Sequence, residues 1–378
     1  MRTHKATQCV HAGGHEDPYT RGVNTPIYTS SSFEYLDRED FPYPRAFNTP
    51  NQEAVVDKLC ELEGAEDGLL FSSGMAAVST ATLSLVSPGE HVVMLDQLYG
   101  GTHAFATEEF TRMGIEYSFV DTDADAIVAA ITPKTRLIMI ESPTNPLLQI
   151  LDVRRVAEAA RERGILTLTD NTFASPVGQN PLALGVDVVA HSGTKYLGGH
   201  SDLCCGAVLS SRVLIERVRA MARNLGGSLN AITCYLLERS LKTLSLRFER
   251  QASNALAIAR FLEDHPSVDA VNYPGLPGFR GHELARSQMS CFGAMLSFEI
   301  GRNASLSVPD FLHRLKLITP ALSLGGIESL ISCPAEVSHD RMSPEERHRV
   351  GITDSLIRLS VGIEHVDDLT ADLGQALV

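Results

Sequence analysis

The sequence has no apolar run approaching the ~18 residues that a membrane-spanning helix needs. Its first residues, MRTHKATQCVHAGG, lack the apolar core of a secretory signal, so a cytoplasmic protein is expected. The seven cysteines (Cys9, Cys60, Cys204, Cys205, Cys234, Cys291, Cys333) form no C-x-x-C pair and are odd in number. That speaks for reduced thiols rather than a disulfide framework. Thirteen histidines are present, but without an H-E-x-x-H or a His-rich tract no metal is expected. No long block of one sign lies behind the net charge of −14, which argues against nonspecific binding to nucleic acid or an anionic membrane. Neither G-x-x-x-x-G-K-[ST] nor G-x-G-x-x-G follows a candidate strand, so phosphate-loop and dinucleotide readings lack their fingerprints. Internal repeats and low-complexity segments are missing too.

What is there is a chain of 378 residues, 44% hydrophobic, with mean hydropathy near zero. At ~100–200 residues per domain this predicts about two domains and a sizeable core. From about residue 54 helical and short apolar segments alternate. AVVDKLCELEG and GMAAVSTATLSLV have helical spacing; GLLFSS, HVVMLD, IEYSFVD, RLIMIES, ILTLTD and VDVVAHS are candidate strands. Apolar runs separated by helices such as DVRRVAEAARERG indicate an α/β fold, a mostly parallel sheet covered on both faces.

After about residue 247 the pattern becomes α+β. RQASNALAIARFLEDH reads as a helix, DAVNYPG, AMLSFEI and SLIRLSVGIE as strands, PDFLHRLKL and VDDLTADLGQAL as helices. The expected organisation is an N-terminal arm over residues 1–46, a large domain over 47–246 and a smaller one over 247–378. The arm has little periodicity and reads as an extended segment, either disordered or packed on another subunit.

In an open α/β sheet, ligands bind beyond the carboxyl ends of the strands. Gly74 and Met75 follow the first candidate strand, Tyr99 the second, and Asn145 follows RLIMIES. Asp170 ends ILTLTD, and Ser192, Thr194 and Lys195 follow VDVVA. Singly, each has an ordinary explanation: a solvated lysine, a capping aspartate, a core tyrosine. Together they are what a pyridoxal phosphate site needs. A lysine amine condenses with the aldehyde, and a carboxylate pairs with the pyridine nitrogen. Hydroxyls and a helix N-terminus hold the phosphate, and an aromatic ring stacks on the pyridine.

AHSGTKYLGGHSD, DNTFASP, ESPTNP, SSGMAA, LYGGT and LIRLSVGIE resemble the Cys/Met-metabolism family of pyridoxal-phosphate enzymes. The group includes cystathionine lyases and synthases, methionine γ-lyases and homoserine sulfhydrylases, and the likeness runs over nearly the whole chain. It implies a fold-type I enzyme, a homotetramer of dimers with shared sites. By this resemblance Lys195 binds the aldehyde, Asp170 pairs with the pyridinium, and Tyr99 stacks and assists the leaving group. Gly74, Met75, Ser192 and Thr194 match phosphate contacts, and Asn145 lies near the ring hydroxyl. Arg358 clamps the substrate carboxylate beside Ser323, while Tyr43 and Arg45 reach a neighbouring subunit's site. The implied activity is a carbon–sulfur lyase acting on cystathionine or a related amino acid, with γ-replacement on an activated homoserine as the rival. A methionine γ-lyase is a further variant, and a non-catalytic α/β binding protein is the alternative from another class.

Three departures bear on specificity. Phe47-Asn48-Thr49-Pro50 replaces the family's Gly-Asn-Pro-Thr turn after Tyr43-Pro44-Arg45. Gly100 stands where methionine γ-lyases carry cysteine. Leu322 stands where cystathionine γ-lyases and γ-synthases carry glutamate, so it cannot bind a distal ammonium; ordinary core packing is its competing explanation.

Overall fold

A computed structural model describes residues 3–39, 41–301, 306–337 and 343–378. Seven strands form the first sheet: β1 (Asp67–Phe71), β2 (His91–Leu95), β3 (Glu116–Val120), β4 (Thr135–Glu141), β5 (Leu166–Asp170), β6 (Val188–Ser192) and β7 (Gly206–Ser210). Their spatial order is β1-β7-β6-β5-β4-β2-β3. β2 to β6 pair in parallel, while β7 runs antiparallel to both β1 and β6. Every residue of His91–Leu95 is buried, as expected of a strand covered on both faces. Each buried Val, Leu or Met side chain there contributes roughly 1.5–3 kcal/mol.

The helices on the faces follow from apolar spacing and from their caps. Val153–Arg161 buries Val153, Val156, Ala157 and Ala160 on one side, and Asp152 accepts the Arg155 N–H at its start. Gly74–Leu85 begins where Ser73 Oγ accepts the Ala76 N–H at 3.0 Å. Its first turn therefore opens at the carboxyl end of β1.

A second sheet follows: β8 (Val268–Asn272), β9 (Met295–Ile300), β10 (Thr319–Pro320), β11 (Leu330–Ser332) and β12 (Leu356–Ser360), in the order β10-β11-β12-β9-β8. All its pairings are antiparallel except β10 with β11. The 20-residue helix Leu244–Glu263 packs beside this sheet, and the last helix, Val366–Ala376, packs against it in turn. Among the described residues no helix is long and apolar enough to cross a membrane.

The first residues contain one short helix, Lys5–His11, and the other described residues up to Tyr43 have no regular helix or strand. The departure after Arg45 has a local explanation. Phe47 takes a left-handed conformation (φ 62°) and buries its ring 5.3 Å from that of Phe71. Thr49 donates its N–H to Gln52 at 3.0 Å, and Pro50 occupies the first turn, so this stretch starts the helix Pro50–Glu63. Asn48 accepts the Tyr43 N–H at 2.8 Å and donates to the Phe41 carbonyl at 3.1 Å, fixing the backbone of the arm.

Candidate active site

The carboxyl ends of the parallel strands border a cavity of about 430 Å3. Gly74, Met75, Tyr99, Asn145, Asp170, Ser192, Thr194, Lys195, Leu322, Ser323 and Arg358 all line it. Tyr43 and Arg45 do not. Tyr43 is exposed, and Arg45 lies over its ring, 5.7 Å from the centroid, and donates to the Arg223 carbonyl at 2.7 Å.

Lys195 sits in the connection between β6 and β7. Its N–H donates to the Ser192 carbonyl at 3.1 Å, and its carbonyl accepts from Gly199 at 2.7 Å. Thr194 and Cys205 close the turn with three bonds: Thr194 N–H and Oγ1 each donate to the Cys205 carbonyl at 3.2 Å, and Cys205 N–H donates to Thr194 Oγ1 at 3.0 Å. The glycines are sterically required. A Cβ on Gly193 would lie 2.5 Å from Cys205 Sγ, and one on Gly74 would lie 2.7 Å from Ser192 Cβ. Gly74 thus lets the helix start press against the Ser192 side chain.

Nζ of Lys195 donates to Ser323 Oγ at 2.7 Å. Burial, followed by repulsion from Arg358, lowers its pKa to about 8, so a far larger share of the amine is neutral near physiological pH than in a solvated lysine. Arg358 comes from β12 of the second sheet. It donates through Nη1 to Asn145 Oδ1 at 3.0 Å and through Nη2 to the Ser323 carbonyl at 3.4 Å. Burial lowers its pKa to about 10, which leaves it a cation. Ser323 has φ of 82°, a left-handed backbone unusual for serine, and this carries its hydroxyl and its carbonyl to different partners.

Asp170 accepts the Thr172 N–H at 3.0 Å at the end of β5. Burial pushes its carboxyl up, opposed by the Thr172 hydrogen bonds and by the charges of His191 and Lys195. Sequence reasoning did not single out Glu141, which ends β4, is 4% exposed and accepts the Tyr99 N–H at 2.9 Å. Burial first, and then the neighbouring Asp170 charge, drive it well above the usual carboxylate range. Burial thus raises both carboxyls, and Glu141 the further, with Asp170 also acting on it. Ser73, Thr172, Phe173 and Cys204 also line the cavity beyond those expected. Tyr99 stands at the mouth, 44% exposed, and a Cβ on Gly101 would lie 2.5 Å from its Cε1. Leu322 is 66% exposed at the same mouth, so it is no part of the core.

This donor set matches pyridoxal phosphate in chemistry. A desolvated amine is available for the aldehyde and a buried carboxyl group for the ring nitrogen. Hydroxyls and the N-terminus of a 12-residue helix, with a glycine that keeps the wall open, are available for the phosphate.

Fold and site define a fold-type I enzyme. Residues 6–378 match the Cys/Met metabolism PLP-dependent enzyme family, and the chain belongs to it. Cystathionine gamma-lyase of Bacillus subtilis is 46% identical over 378 residues, covering 99% of each chain. Cystathionine gamma-synthase of Mycobacterium tuberculosis is 45% identical over 380 residues, covering 98% of this chain and 96% of its own. The crystal structure of cystathionine gamma-lyase from Lactobacillus plantarum complexed with L-serine superimposes with a TM-score of 0.95 at 40% identity, over 99% of this chain and 98% of that one.

Proposed function

We propose that the protein is a cytoplasmic carbon–sulfur lyase that expels a thiol from cystathionine or a closely related amino acid. The observation that carries this reading is that one serine, Ser323, joins Lys195 to Arg358 on a single cavity wall. An amino acid held by its carboxylate on Arg358 presents its Cα hydrogen to the Lys195 amine.

Bound pyridoxal phosphate supplies an electrophilic aldehyde and an electron-accepting ring. The chain's residues do the rest. Asp170 would anchor the ring nitrogen, and Ser192, Thr194 and the first N–H groups of the helix Gly74–Leu85, those of Gly74 and Met75, would hold the phosphate. Arg358, oriented by Asn145, fixes the substrate carboxylate in a bidentate fork. Lys195, desolvated and with its pKa lowered to about 8, takes the Cα proton and returns one later. Tyr99, at the mouth, would stack on the ring and assist the departing sulfur.

The exposed Leu322 favours a side chain without a distal charge or a leaving group at Cβ. Residues 47–246 would form the cofactor domain and 247–378 the smaller domain. The arm, residues 1–46, exposes Tyr19, Val23, Tyr35, Leu36 and Tyr43, which supports its packing on a second copy within a tetramer of shared sites. The test is incubation of the loaded enzyme with cystathionine and identification of the keto acid. Pyruvate means β-elimination and 2-oxobutyrate γ-elimination. If neither forms, and cystathionine is instead made from an acylhomoserine and cysteine, the enzyme is a γ-replacement catalyst; the likeness to the M. tuberculosis synthase favours that second reading.

A further inference from the structure

The helix Leu244–Glu263 carries three buried polar side chains at i, i+4 and i+7: Arg247, Gln251 and Asn254. That spacing puts them on one face. All three donate to backbone carbonyls rather than to side-chain acids. Arg247 donates through Nη1 to the Tyr196 carbonyl at 2.8 Å, and through Nη2 to those of Ser240 at 3.0 Å and Leu197 at 3.4 Å. Gln251 donates through Nε2 to the Gly326 carbonyl at 2.7 Å and the Val361 carbonyl at 3.1 Å. Asn254 donates to the Gly362 and Glu364 carbonyls at 3.1 and 2.9 Å.

These acceptors flank the functional side chains. Tyr196 and Leu197 follow Lys195, Gly326 follows Ser323 by three residues, and Val361 follows Arg358 by three. The two strands of chain also meet directly. Ile327 donates to the Gly199 carbonyl at 3.0 Å, and a Cβ on Gly325 would lie 2.7 Å from the Tyr196 nitrogen. Gly199 has φ of 67°, and a Cβ there would overlap the Arg247 guanidinium. A buried cation held by carbonyls and, through Nε, by the Thr243 hydroxyl at 3.2 Å is expensive to desolvate, and an apolar side chain of similar size would fill the same space. What an apolar side chain could not do is bind the lysine segment and the arginine segment to one rigid body.

We propose that Arg247 and Gln251 are positioning residues that set the distance between Lys195 and Arg358 by tying both segments to one helix. The proposal rests on the reading that these two side chains act on the same substrate. A misplacement on the order of 1 Å at such a site costs about 100-fold in rate.

The test compares loaded wild type with Gln251→Met, Arg247→Met and Arg247→Lys, using Arg250→Ala on the exposed face as control. Cofactor content and melting temperature are recorded first. The readouts are kcat and KM for cystathionine, and the change in cofactor absorbance on titration with glycine, which has the amine and carboxylate but no leaving group. The expected result for Gln251→Met is a fall of about 10-fold or more in kcat and in glycine affinity at unchanged cofactor content, with Arg247→Lys recovering part of the Arg247→Met loss. A fully loaded Gln251→Met variant within twofold of wild type in both readouts overturns the proposal. If Arg247→Met does not fold, Gln251→Met alone decides. If the wild type eliminates nothing from cystathionine, the lyase reading fails while the glycine titration still judges the positioning role.

Discussion

Arg358 on β12 and Asn145 in the loop leaving β4 meet at 3.0 Å, guanidinium to side-chain carbonyl. The contact couples the second sheet to the loop leaving β4, and it aims the fork of Arg358 into the cavity. Replacing Arg358 with leucine removes the carboxylate clamp and should lower kcat/KM for cystathionine by 100-fold or more, the equivalent of roughly 3–5 kcal/mol. Asn145→Ala leaves the charge but frees its rotamer, so about a 10-fold rise in KM with a smaller change in kcat is expected. Steady-state kinetics on loaded enzyme separates the two effects.

The Lys195 amine has a pKa of about 8 because burial, and then Arg358, disfavour its charged form. At pH 7.5 it holds roughly two orders of magnitude more neutral amine than a solvated lysine. Only the neutral amine attacks an aldehyde. The rate at which cofactor-free protein takes up pyridoxal phosphate should therefore rise with pH and level off above a midpoint near 8. Arg358→Leu removes a repelling cation, so its midpoint should move to higher pH. Stopped-flow absorbance measures both, and an unchanged midpoint would contradict the assigned cause.

Much of this was legible before any coordinates. Six apolar runs became the strands β1 to β6, because strands covered on both faces need unbroken hydrophobic stretches. GAVLS was missed as β7: a five-residue run, small at first, after Cys204-Cys205 carries no periodicity that separates a strand from a turn. Glu141 was hidden for a different reason. A carboxylate ending an apolar run looks like a solvated strand terminus, and only the central place of β4 in the sheet buries it. Arg247, Gln251 and Asn254 resemble the wet face of a helix in sequence, since their carbonyl partners lie up to 110 residues away.

Glu141 offers a stability test. Its folded pKa lies well above its unfolded value, so its contribution is greatest below the unfolded pKa and is lost as pH rises through the folded one. Glutamine keeps an acceptor for the Tyr99 N–H and cannot ionise. Cofactor-free Glu141→Gln should match wild type near pH 5 and melt at least about 2 °C higher at pH 8–9. Calorimetry across that range checks it, and a gap that widened toward acid would refute the assignment.

Tyr43 and Arg45 stand away from the cavity of their own chain. If they complete a neighbour's phosphate site, Arg45→Ala and Lys195→Ala proteins should each be nearly inactive. Mixed, dissociated and reassembled, they should regain up to about a quarter of wild-type activity, because half of the random pairs contain one intact site. No recovery in chains shown to have exchanged would place Arg45 elsewhere.

Leu322 is where substrate choice can be tested, being exposed at the mouth and free of packing duties. Leu322→Glu introduces a carboxylate that a distal ammonium can meet and an apolar side chain cannot. In so exposed a place the pair is worth about 0.2–1 kcal/mol, a factor of about 1.5 to 5. The KM for cystathionine should fall by that factor relative to the KM for methionine, and the advantage should shrink with added salt. Parallel kinetics on both amino acids at two ionic strengths measures it. An equal change for both substrates would mean that Leu322 shapes access to the cavity and not the recognition of charge.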